Sequence, residues 1–159
     1  MENKRYLINF LILLPLIYLF LKIFEFEISR YLAVIVGLIL NAYYFDNIII
    51  YNKTLFSIIP ACTCSFEMSL FLAYVFATPK TPMKYKLIYS SFGILVINLI
   101  NILRIILILK NAHLTNYSLI HDMISFIIFP TVLILNIIWV RILIKVGIVK
   151  NIKINLIDK

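Results

Sequence analysis

The sequence predicts an all-α integral membrane protein: one bundle of about five transmembrane helices, with a short extracytoplasmic hairpin before the third. Three observations carry this. Of 159 residues, 64% are hydrophobic, and mean hydropathy is +1.05, against roughly half apolar in ordinary soluble domains. The apolar residues come in runs close to the ~20 that cross a bilayer. The basic residues, which give a net charge of +8, fall mostly between those runs, as the positive-inside rule requires. In a soluble chain that charge would point to nucleic acid. Here its position at span junctions accounts for it, and nucleic acid drops out as a partner. The chain has only three glycines, so no glycine-rich phosphate loop can be drawn. No repeat or linker divides residues 1–159, which read as a single domain.

Span one runs from Tyr6 to Phe24 behind Lys4 and Arg5. It has the shape of a signal-peptide core, but bulky and charged residues follow it where a cleavage site would need small ones, so it reads as a retained anchor. Span two runs from about Tyr31 to Phe45. The stretch DNIIIYNKTLFSII has short β-branched runs around YNKT, which reads as a hairpin outside the lipid core. Span three starts at the Pro60–Cys62 mouth and ends near Ala77. Span four is Leu87 to Leu109. Span five runs from about His121 to Leu143 with a bend at Pro130, and a basic tail follows.

Orientation follows from charge. Lys80, Lys84, Lys86, Arg141 and the tail residues Lys145, Lys150, Lys153 and Lys159 belong inside. Span three then runs inward, span four outward and span five inward. Cys62, the last third of span four and His121 share a level near the outer surface. The sequons at Asn52 and Asn116 fall in outer loops. With five spans, however, span one also runs inward and leaves Lys4 and Arg5 outside, against the rule.

The stretch SIIPACTCSFEMSLF, Ser57 to Phe71, places two cysteines and a glutamate at the mouth of a span. The C-x-C spacing is too close for an unstrained disulfide, and no second pair completes a zinc site. A charge within a span costs at least ~2.5 kcal/mol, which marks a functional interior. Glu67 lies ~7.5 Å below Cys62 at 1.5 Å per residue, and Arg104 ~9 Å below the outer end of span four. The depths match, so a Glu67–Arg104 pair is expected. Asn101, three residues before Arg104, shares its helix face; Asn98 is on the same span. Cys62 follows Pro60, where a helix begins and its dipole would favour a thiolate. A histidine at the level of His121 can move the thiol proton. A guanidinium can hold an oxyanion or a substrate carboxylate. Those are the parts of a thiol acyl-transfer site. Cys64 reads as a small packing residue or a second thiol, and His113 as a bystander.

The segments ACTCSFEMSLFLAYVFATPKTPMKYK, NLINILRIILIL and HDMISFIIFPTVLILNIIWVRILIK, taken in order, resemble the exosortase/archaeosortase family of membrane cysteine transpeptidases. The family pattern is an A-C-S/T-G mouth, a later N-x-x-R-I and a histidine opening the last core helix. The resemblance covers a catalytic core of about residues 31–145. It implies Cys62 as nucleophile, Arg104 and His121 as its catalytic partners, Glu67 and Asn101 in support, and no cofactor or metal. It departs at Cys64, which stands where the family has glycine. The implied substrates are secreted proteins with a C-terminal motif, a transmembrane helix and a basic tail. They would be cleaved on the outer face of the cell membrane, with the acyl group passed to an acceptor, a lipid in the archaeal case. The other reading is a non-catalytic bundle, such as a transporter subunit or assembly partner, in which Arg104 and Glu67 pin helices together.

Overall fold

The computed structural model describes residues 2–112, 122, 124, 126–145 and 147. His121, His113 and the Asn116 sequon lie outside the described residues. Helices α1 (Glu2–Ile23) and α2 (Glu25–Leu40) are separated only by Phe24. Strands β1 (Tyr43–Phe45), β2 (Ile48–Tyr51) and β3 (Thr54–Ser57) form an antiparallel meander. A 3-10 turn (Pro60–Cys62) leads to α3 (Ser65–Ala77), and α4 (Met83–Lys110) and α5 (Ile128–Lys145) complete the described bundle.

Among the described residues, three helices are long and apolar enough to cross a membrane: α1 from Lys4, α4 and α5. Helix α3 is apolar but has only 13 residues, about 20 Å of rise. The expected span two is displaced toward the N-terminus. It is the 16-residue α2, which ends at Asn41 in the left-handed conformation, a common helix stop that Asn tolerates better than most residues. The residues beyond it, expected to be helical up to Phe45, form β1 instead. The meander therefore has one strand more than the expected hairpin. Its β2–β3 turn is at Asn52 and Lys53, both with positive φ, as a two-residue hairpin turn demands. Pro130 is the third residue of α5, in the first turn, where a missing N–H costs nothing.

Helix α1 runs antiparallel to α3. Tyr6 packs on Tyr74 with ring centroids 5.9 Å apart, and Tyr18 on Phe66 at 6.0 Å. This corrects the five-span reading, in which spans one and three run in the same direction. Lys4 and Arg5 now lie at the end of the bundle that carries the basic α3–α4 loop. From the first turn of α4, Lys86 Nζ donates to the Phe76 carbonyl at 2.8 Å, closing the C-terminus of α3.

Two apolar clusters hold the protein together. In the first, Phe71 of α3 packs on α4 at Gly93, where an added Cβ would sit 2.1 Å from the Phe71 ring. Tyr89 of α4 stacks on Trp139 of α5 at 4.8 Å and donates to the Leu135 carbonyl at 2.6 Å. In the second, Leu32, Ala33 and Val36 of α2 and Ile49 of β2 close over Ile105 and Leu109 near the C-terminal end of α4. Arg30 of α2 pairs with Asp46 in the β1–β2 turn, Nε to Oδ1 2.8 Å. The sheet and α2 thus form a cap on the end of the bundle that carries the cysteines.

Candidate active site

The site is built on the CTC turn and one face of α4. After Ile59, Pro60 opens the 3-10 turn that ends at Cys62. Thr63 Oγ1 donates to the Pro60 carbonyl at 2.7 Å and lies 2.7 Å from Ser65 Oγ. Helix α3 begins only at Ser65. The sequence argument put Cys62 at the helix start, but the residue that flanks α3 is Cys64. The helix-dipole argument therefore attaches to Cys64, and Cys62 belongs to a separate short turn.

Cys64 has φ 56° and ψ 29°, left-handed backbone that costs a side chain-bearing residue about 1–2 kcal/mol. Glycine has no such penalty, which accounts physically for glycine at this place in the family pattern. Cys64 is 2% exposed.

Helix α4 presents Gly93, Ile97, Asn101 and Arg104–Ile105 along its buried face, at the i, i+4 and i, i+3 spacing of one helical stripe. Asn101 is fully buried, and its Nδ2 donates to the Cys62 carbonyl at 2.7 Å. Arg104 is 7% exposed. Its NH1 donates to Asn101 Oδ1 at 3.3 Å and to Cys64 Sγ at 3.5 Å. Its Nε is buried without an acceptor. Asn101 and Arg104 together tie both cysteines of the turn to α4.

The expected Glu67–Arg104 ion pair does not form. Among the described residues, the guanidinium has neutral acceptors only. Glu67 instead lines a pocket of about 460 Å³ between the C-terminal end of α1 and the CTC turn, with Tyr18, Lys22, Glu25, Ala61 and Phe66. The reason is helical phase: Glu67 falls on the side of α3 that faces α1, while Cys64 turns toward α4. Cys62 is half-buried and lines a different pocket, of about 130 Å³, with Ile49, Phe56, Ile58, Ile105 and Leu109. The two cysteines are free thiols. No group of three or more His, Cys, Asp or Glu among the described residues could hold a metal ion.

Of the expected convergence of Cys62, Arg104 and His121, the histidine lies outside the described residues; Asn101 reaches the Cys62 carbonyl and Arg104 reaches Asn101 and the Cys64 thiol, while Glu67 does not join the arginine. The one available sequence signal for Cys64 is that a bulkier residue occupies a glycine position. The cover that Ile49 and Phe56 give to Cys62 had no signal in the motif.

Fold and site define a multi-pass membrane protein in which a cysteine turn is fastened to a buried arginine on a neighbouring helix. Over 142 residues the chain is 45% identical to "Probable archaeosortase D" of Methanocaldococcus jannaschii, covering 89% of this chain and 92% of that protein. The chain belongs to the archaeosortase family. No family model matches the sequence, and no solved structure matches it.

Proposed function

We propose that the protein is a membrane cysteine transpeptidase that cleaves the C-terminal sorting signal of secreted proteins and transfers the acyl group to an acceptor, a lipid by analogy with the archaeal family. Family membership supports a sorting function in general. The observation that carries the site is the bonded path from the Cys62 carbonyl through Asn101 to Arg104. Cys62 Sγ, the more open thiol, attacks the scissile carbonyl after giving its proton to His121. Arg104 holds the oxyanion that develops. The C–N bond breaks, the departing amine takes the proton, and a thioester remains on Cys62. An acceptor nucleophile then attacks the thioester and restores the thiol.

The reaction takes place on the outer face. With α1, α4 and α5 as the full-length crossings, the shorter α3 with the CTC turn ahead of it as the return between α1 and α4, and α2 with the sheet as an outer cap, Lys4, Arg5, Lys80, Lys84, Arg141 and Lys145 all come to lie inside. That arrangement puts most of the basic residues inside, as the positive-inside rule favours, with Lys22, Arg30, Lys53 and Lys110 at the outer end. The non-catalytic reading drew on Arg104 and Glu67 pinning helices, and the two residues do not pair.

The test is processing of a tail-bearing substrate in cells. Cys62→Ala abolishes it, while Cys64→Ala leaves measurable activity. An active Cys62→Ala together with a dead Cys64→Ala would transfer the nucleophile to Cys64.

A further inference from the structure

We propose that Cys64 is a positioning residue for Arg104: its thiol and the Asn101 amide oxygen hold one guanidinium nitrogen between them and direct the rest of the fork at the reacting carbonyl. The proposal rests on the reading above in which Arg104 is catalytic. Cys64 occupies left-handed backbone that favours glycine, so its side chain is kept against local preference. It is buried, and its Sγ accepts from Arg104 NH1 at 3.5 Å. Asn101 Oδ1 accepts from the same nitrogen at 3.3 Å. Both acceptors are neutral. A carboxylate at either place would orient the arginine but also neutralise it, whereas these two orient it and leave its charge for an oxyanion. Among the described residues the Nε–H is buried without an acceptor, so the guanidinium is held through NH1 alone. A cysteine kept only to fill space would need no acceptor atom, and alanine or glycine would serve.

The experiment uses the full-length protein in membranes and a tail-bearing substrate, with kcat and KM measured separately. Cys64→Ala is expected to lower kcat about tenfold, or ~1.4 kcal/mol, with KM within about twofold, because the lost bond matters in the transition state. Cys64→Ser, which keeps an acceptor, should stay within about threefold of wild type, since it preserves the bond type. Cys64→Gly relieves the left-handed backbone, which offsets part of the packing loss; it should lose as much kcat as Cys64→Ala. In an Arg104→Lys background, assayed at higher enzyme concentration, Cys64→Ala should cost nothing further. Wild-type kcat in Cys64→Gly, or an undiminished Cys64→Ala loss in the Arg104→Lys background, overturns the positioning role. Arg104→Lys alone working at the wild-type rate overturns the arginine's catalytic role instead, so the two failures are distinct.

Discussion

Asn101 is the side chain on which the geometry of the site depends most, and replacing it separates its two bonds. Asn101→Ala removes the donor to the Cys62 carbonyl at 2.7 Å and the acceptor for Arg104 NH1 at 3.3 Å. Each buried group left unpaired costs about 1–3 kcal/mol, so the pair amounts to about 2–6 kcal/mol of stability. Relaxation of the turn and water entry place the expected loss at the low end, about 2 kcal/mol. The functional loss should be larger than that implies. A displacement of about 1 Å at a reacting group can cost 10²-fold, and the cysteine turn is fastened to α4 on one side by this bond. Asn101→Asp keeps an acceptor for Arg104 but loses the donor and faces the Cys62 carbonyl with a carboxylate. It should therefore fold with the arginine paired, and still process substrate at least ~10-fold more slowly, because a neutralised guanidinium holds an oxyanion poorly. Thermal unfolding in detergent and initial processing rates measure the two effects. Wild-type rate and stability in Asn101→Ala would refute the claim that these bonds hold the turn.

Arg104→Lys keeps the charge but offers a single donor centre. It should lose at least ~10²-fold in processing, by analogy with loss of an oxyanion-hole donor, with protein abundance near wild type. Gly93→Ala should destabilise the protein by about 1–3 kcal/mol through overpacking, since the new Cβ would meet the fully buried Phe71 ring at 2.1 Å. Phe71→Leu in the same chain should recover part of that loss in a thermal unfolding assay. In a chain lacking Cys62 and Cys64, a single cysteine at Ala112 should react with a membrane-impermeant thiol reagent on intact cells, and one at Lys80 only after permeabilisation. The reverse pattern would invert the orientation.

The helical bundle was legible because lipid imposes length and apolarity on any crossing helix, and α1 and α4 were found to within about four residues by that rule. The face of α4 was legible for the same kind of reason, since Asn101 and Arg104 share a helical stripe that periodicity exposes. Direction and pairing were not. Whether α1 runs with or against α3 depends on Tyr6 meeting Tyr74 and Tyr18 meeting Phe66, contacts between segments some 50 residues or more apart that no local pattern encodes. Glu67 and Arg104 were matched by depth alone, and depth carries no information about which side of α3 the glutamate faces. The role of Cys64 stayed open for a backbone reason: the motif placed a helix start near Cys62, but two more residues intervene and the second is left-handed. β1 was read as helix because Tyr43, Tyr44 and Phe45 continue an apolar run that periodicity cannot divide.

The most direct test of the whole account is to trap the covalent intermediate. The full-length protein is mixed with a tail-bearing substrate in the absence of acceptor, quenched in acid and digested, and the peptides around the CTC turn are analysed by mass spectrometry. The account predicts the substrate acyl group as a thioester on Cys62, absent from Arg104→Lys at early times. An acyl group on Cys64, or substrate cleavage with neither thiol modified, would contradict it.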